Sequence, residues 1–156
     1  MNKLSRNQGI AVAVGLGLMA YLFFSDPLMS LFNSPQANNQ NASMIESGFK
    51  TQEVSIGQGE IAEPRNKLTV HYLGRLPSGQ VFDSSLDNNT PITFTLGTGQ
   101  VIRGWDEGLA GMRVGGKRVI TIAPDYGYGN RAIGAIPANS VLIFEVELVG
   151  VEKASQ

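Results

Sequence analysis

From Leu68 onward, apolar side chains recur at every second position, and that period dictates which elements the chain can build. Leu68, Val70 and Tyr72 alternate with Thr69, His71 and Leu73, and Arg118, Ile120 and Ile122 alternate with Lys117, Val119 and Thr121. Near the C-terminus Leu142, Phe144, Val146 and Leu148 form an inward set, with Glu145 and Glu147 between them facing out. A two-residue period puts one set on one face of a pleated strand, so this region reads as sheet with a buried face. The Pro77-Ser78-Gly79 turn leads into Val81-Phe82-Asp83, which predicts a hairpin, and Ile92, Phe94 and Leu96 supply a further inward set. The period changes between Val101 and Met112, where Ile102, Trp105, Leu109 and Met112 are spaced at three and four and predict one short helix. Gly104, Gly108 and Gly111 lower its intrinsic propensity, so packing must hold it. The expected fold is α+β, a curved antiparallel sheet wrapped around one short helix.

The N-terminal part has another character. Residues 1–8 carry Lys3 and Arg6, and residues 9–24 are uncharged and apolar from Gly9 to Phe24. As a helix this run would be about 24 Å long, against a hydrocarbon core of roughly 30 Å, which lies between a signal peptide and a spanning anchor. Small residues do not pair at a cleavage site after it, which favours an uncleaved N-terminal hydrophobic helix acting as signal-anchor. A cleaved signal peptide is the alternative, and an apolar core helix a weaker third. Basic residues before the run and none from Phe24 to Ile45 place the rest of the chain on the non-cytoplasmic side, in periplasm, lumen or exterior. Residues 25–45 read as a polar linker containing NSPQANNQNAS, and residues 46–156 as the folded domain.

Several chemistries are disfavoured. Lys and Arg total 12 against 13 Asp and Glu, with no basic run, so nucleic acid is not an expected partner. There is no cysteine, hence no disulfide or thiolate nucleophile, and the single His71 points away from the inward face, leaving no metal site or triad to build. The pairs Gly57-x-Gly59 and Gly97-x-Gly99 lack the context of a dinucleotide fingerprint. No cofactor is expected. Arg113, Lys117 and Arg118 read as a solvated edge.

The string His71-Tyr72-Leu73-Gly74-Arg75-Leu76 runs through Gly79 to Val81-Phe82-Asp83-Ser84-Ser85. Phe94-Thr95-Leu96-Gly97, Val101-Ile102-Arg103-Gly104-Trp105-Asp106-Glu107-Gly108-Leu109, Pro124-Asp125-Tyr126-Gly127-Tyr128-Gly129 and Ile136-Pro137-Ala138-Asn139 follow in order. Together, from about Val70 to Val151, they resemble the catalytic domain of the FKBP-type (tacrolimus-binding) peptidyl-prolyl cis-trans isomerases.

The resemblance implies a half-barrel around a helix, with a shallow apolar pocket that takes the proline ring of a polypeptide or the pipecolyl ring of tacrolimus and rapamycin. Carried over residue by residue, it implies catalytic roles for Asp83, Tyr128, Phe82 and Trp105, and substrate binding by Tyr72, Phe94, Val101, Ile102 and Phe144. Trp105 would be the pocket floor and Tyr128 a hydroxyl donor to substrate. Asp83 would face the pocket, paired with a tyrosine or Arg103. Ile92 stands where the family often has an aromatic residue, and the loop after Tyr128, GNRAIGA, is short and lacks the His often found there. The implied activity is acceleration of Xaa-Pro isomerisation in exported or membrane-proximal proteins. The competing readings are a pocket that captures proline-containing segments without turnover, and a tethered structural domain with no ligand.

Overall fold

The computed structural model describes residues 48–154, so the 9–24 segment and the 25–45 linker lie outside the described residues. Among the described residues no helix is long and apolar enough to cross a membrane. Among the described residues six strands, β1 (Phe49–Ser55), β2 (Lys67–Arg75), β3 (Val81–Ser84), β4 (Ile92–Thr95), β5 (Lys117–Ile122) and β6 (Leu142–Glu152), form one sheet, with one α-helix, α1 (Arg103–Gly108), between β4 and β5. The order is β1-β5-β6-β2-β3, with β4 also paired to β2. Every pairing is antiparallel.

β2 organises the site. On one side it pairs with β6 along its length, and on the other with β4 through Leu68↔Phe94 and Val70↔Ile92, then with β3 through Leu73↔Ser84 and Gly74↔Asp83. Register shifts at Thr69/Val70 and Gly74/Arg75 interrupt the ladders, and irregularities of this kind bend a strand and increase its twist. The sheet can thereby close around α1. Gly74 permits a close approach of two rings, because a Cβ there would lie 2.6 Å from the Phe82 ring and 2.8 Å from that of Phe144.

The inward sets converge as the period-two pattern predicts. Leu68, Val70, Leu96, Leu109, Ile120, Ile122, Leu142, Val146 and Leu148 are fully buried in one cluster with Trp105, Phe94 and Phe144. Removal of this apolar surface from water, worth about 1.5–3 kcal/mol per large side chain, is what holds so short a helix in place. The helix is shorter than the apolar spacing from Val101 to Met112 suggests. Regular helix ends at Gly108, and Gly111 at φ +81° turns the chain away while Leu109 and Met112 still face the core.

Arg118 corrects the reading of a solvated edge. Its side chain is only 11% exposed, pairs with Glu53 of β1, and donates to the carbonyls of Gly108 at 2.6 Å and Ala110 at 3.1 Å. These acceptors belong to the C-terminal end of α1, where carbonyls lack intrahelical partners and a cation is favoured. β1 was not foreseen at all. Apart from half-buried Phe49 its side chains are exposed, so it has no inward set to recognise.

Candidate functional site

A cleft of about 400 Å³ opens between the concave face of the sheet and the N-terminal end of α1, lined by Tyr72, Asp83, Ile92, Gln100, Val101, Ile102, Trp105, Tyr128 and Phe144. Seven of the nine residues singled out from the sequence meet here. The other two, Phe82 and Phe94, support the lining rings instead: Phe82 packs edge-on against Phe144 at 5.5 Å, and Phe94 lies 5.7 Å from Trp105.

Trp105 is the centre of the cluster. It is 3% exposed, and its ring meets Tyr72 at 5.2 Å and Phe144 at 5.1 Å, both nearly perpendicular. Such edge-to-face contacts are favourable beyond the area they bury and fix ring orientation. Gly104 makes room for the helix that carries Trp105, since a Cβ at 104 would lie 2.6 Å from Ile122. Trp105 Nε1 is buried with no hydrogen-bond partner among the described residues.

Polar groups stand at the mouth. The Tyr72 hydroxyl donates to Asp83 Oδ2 at 2.7 Å, so Tyr72 is the tyrosine that pairs with Asp83. Arg103 engages Glu107 at 2.6 Å instead, with its guanidinium 4.2 Å above the Tyr126 ring. Burial first, then the bond to Asp83 and its charge, push the Tyr72 hydroxyl well above the usual tyrosine range. Burial and the charge of Asp83 raise Tyr128 as well. Both phenols therefore remain donors throughout the neutral range. Tyr128 follows a 3-10 turn at Pro124–Tyr126 and is 37% exposed, held by its loop rather than by the core. Ile102, immediately before α1, has φ −59° and ψ 149°; its carbonyl accepts from Trp105 and Asp106, and its N–H makes no hydrogen bond among the described residues.

Three positioning residues escaped the sequence reading. Buried Ser85 accepts from the Tyr72 N–H at 2.8 Å, and its own N–H donates to the Tyr72 carbonyl at 3.0 Å, fastening the backbone beneath Tyr72. His71 meets the same hydroxyl through Nδ1 at 3.0 Å, a structural role. Asp106 accepts from the N–H groups of Gly97 and Gly99 at 2.9 and 2.8 Å, and Gln100 Oε1 accepts from Thr95 N–H at 2.8 Å. Polar side chains bond to backbone groups routinely, so nothing in the sequence separates these from ordinary polar residues. Among the described residues no cluster of His, Cys, Asp and Glu could hold a metal.

Comparison with known proteins agrees with this geometry. Residues 58–149 match the family described as FKBP-type peptidyl-prolyl cis-trans isomerase. The chain is 50% identical over 119 residues to FK506-binding protein 1A of Neurospora crassa, covering 76% of this chain and 92% of that protein. It is 54% identical over 101 residues to an FK506-binding protein of Neisseria meningitidis, covering 64% and 93%. It is also 48% identical over 106 residues to a peptidyl-prolyl cis-trans isomerase of Schizosaccharomyces pombe, covering 67% and 95%. The crystal structure of AtFKBP13 is similar with a TM-score of 0.63 at 38% identity, over 67% of this chain and 94% of that one. A sheet bent around one short helix, an aromatic cleft floored by Trp105 and a continuous match across the domain lead to one assignment: the chain belongs to the FKBP-type peptidyl-prolyl cis-trans isomerase family.

Proposed function

We propose that this domain accelerates cis/trans isomerisation of Xaa-Pro bonds in exported or membrane-proximal polypeptides. The cleft carries the reading: the rings of Tyr72, Trp105 and Phe144 and the aliphatic side chains of Ile92, Val101 and Ile102 line it, with few polar side chains among them. Rotation about the peptide bond faces a barrier of about 18–20 kcal/mol, much of it lost amide resonance, and no covalent bond need form or break to lower it. A twisted amide carries less charge on its carbonyl oxygen than a planar one. Transfer from water into an apolar cleft therefore penalises the planar ground state more than the transition state. Trp105 and Phe144, supported by Phe82 and Phe94, provide that surface, and Tyr72, Val101 and Ile102 hold the proline ring. The Ile102 N–H and the Tyr128 hydroxyl take the substrate carbonyls and fix the chain bent around proline. Asp83, held by Tyr72, faces the substrate carbonyl across the mouth.

Exchange NMR on an Xaa-Pro peptide, with and without tacrolimus, tests the activity and the pocket together. Acceleration abolished by the macrolide is expected, and none from a folded sample would overturn the reading. Unchanged turnover in folded Tyr128→Phe and Phe82→Ala variants would remove the assigned roles.

The exported location rests on sequence alone: Lys3 and Arg6, the apolar run 9–24 and the polar stretch 25–45 suit an anchor that holds the domain outside the cytoplasm. Protease protection of the domain in sealed vesicles, combined with N-terminal analysis of the mature chain, separates an anchored form from a cleaved one. Recovery of the intact chain in the cytoplasmic fraction would end this part of the proposal.

A further inference from the structure

Gln100 contributes a polar group to the cleft wall whose orientation is fixed. The Thr95 N–H can only donate, so the group that receives it at 2.8 Å must be the carboxamide oxygen. Nε2, with two N–H donors, is therefore the free end, and no acceptor engages it among the described residues. The loop that carries the residue is tied down. Asp106 of α1 accepts from Gly97 and Gly99, and Thr98 Oγ1 donates to the Thr95 carbonyl at 2.8 Å. Gln100 is exposed at the rim, whereas the next two lining residues, Val101 and Ile102, are half-buried.

From this arrangement we infer that Gln100 is a specificity-determining residue, whose Nε2 donates to a carbonyl-bearing side chain, carboxamide or carboxylate, on the residue flanking the substrate proline. The inference rests on the isomerase reading of the same cleft. The N–H of Ile102, lower on the wall, is placed for main-chain carbonyls. A donor at the solvent edge meets what projects outward from a bound chain, which is a side chain. An acceptor there gains a hydrogen bond, while a lysine side chain brings a donor against a donor.

The test compares kcat/KM for matched peptides with Gln, Leu or Lys on either side of proline, in the full-length protein and its Gln100→Glu and Gln100→Leu variants. The unsubstituted protein should favour the Gln peptide over the Lys peptide at one of the two positions by about three- to tenfold, the range of a single uncharged hydrogen bond. The difference should lie in KM with kcat unchanged, as expected for an interaction made equally in ground and transition states. Gln100→Glu keeps an oxygen for the Thr95 N–H and replaces the donor end with a charged acceptor, so the order should reverse in favour of Lys. Gln100→Leu should flatten it. A Gln-to-Lys ratio that in both variants stays within twofold of the unsubstituted protein's own ratio overturns the inference, as does a loss of equal size for all three peptides, which would mark Gln100 as a loop-positioning residue only. Absence of turnover in the unsubstituted protein would instead strike the isomerase reading itself.

Discussion

Tyr72 and Asp83 sit on paired strands, with the Tyr72 hydroxyl donating to Asp83 Oδ2 across 2.7 Å, and this bond holds the one carboxylate that lines the cleft among the described residues. Tyr72→Phe removes the donor while keeping the ring against Trp105 and Phe144. We expect kcat/KM to fall about three- to tenfold with the fold retained, as loss of one hydrogen bond implies. Peptide exchange rates and an unchanged circular dichroism spectrum check this, and full activity would remove the bond from the mechanism.

Trp105 is the sole tryptophan of the chain and is almost fully buried at the cleft floor. Tacrolimus binding should therefore change the intensity or wavelength of tryptophan emission, saturating at one macrolide per chain. A spectrum indifferent to saturating macrolide, with binding shown independently by calorimetry, would place the ligand away from Trp105.

Alkaline stability should report the two raised phenols. Below the ordinary tyrosine value of about 10, folded and unfolded chains both keep these protons. Above it the unfolded chain releases them while Tyr72 and Tyr128 still hold theirs, so their contribution to stability declines as pH rises from about 10. Urea midpoints measured from pH 8 to 11 should fall over the upper part of that range, and less steeply in Tyr72→Phe. An equal slope in the variant would show that Tyr72 is not the source.

Gly104→Ala should destabilise the domain by about 1–3 kcal/mol, because the new methyl would lie 2.6 Å from the fully buried Ile122 side chain, so one of the two must shift. A lower urea midpoint at constant slope is the expected reading, together with weaker macrolide binding as α1 shifts. An unaltered midpoint would mean that the helix can move away without cost.

The fold was legible wherever one strand face is buried. Leu68 to Tyr72, Ile120 to Ile122 and Leu142 to Leu148 carry the inward pattern and occupy strands with that face in the core. β1 was not legible, because an edge strand held by backbone bonds to β5 shows no alternation beyond Phe49. Arg118 shares the inward register of Ile120 and Ile122, yet its charge suggested solvent. Its partners, Glu53 and the end of α1, are distant in sequence and are brought together only by folding. The cleft rings were found through a motif pattern, since spacing alone cannot tell a pocket wall from core. Ser85, Asp106 and Gln100 act through backbone groups that no side-chain pattern records.

Asp106 carries one further consequence. By taking the N–H groups of Gly97 and Gly99 it joins the rim of the cleft to the helix that bears its floor. The two surfaces cannot drift apart without breaking both bonds, so the recess is held in one shape before any ligand enters. Little conformational entropy is then surrendered on association, and affinity reflects the contacts made and the water released, with almost nothing subtracted for ordering the protein.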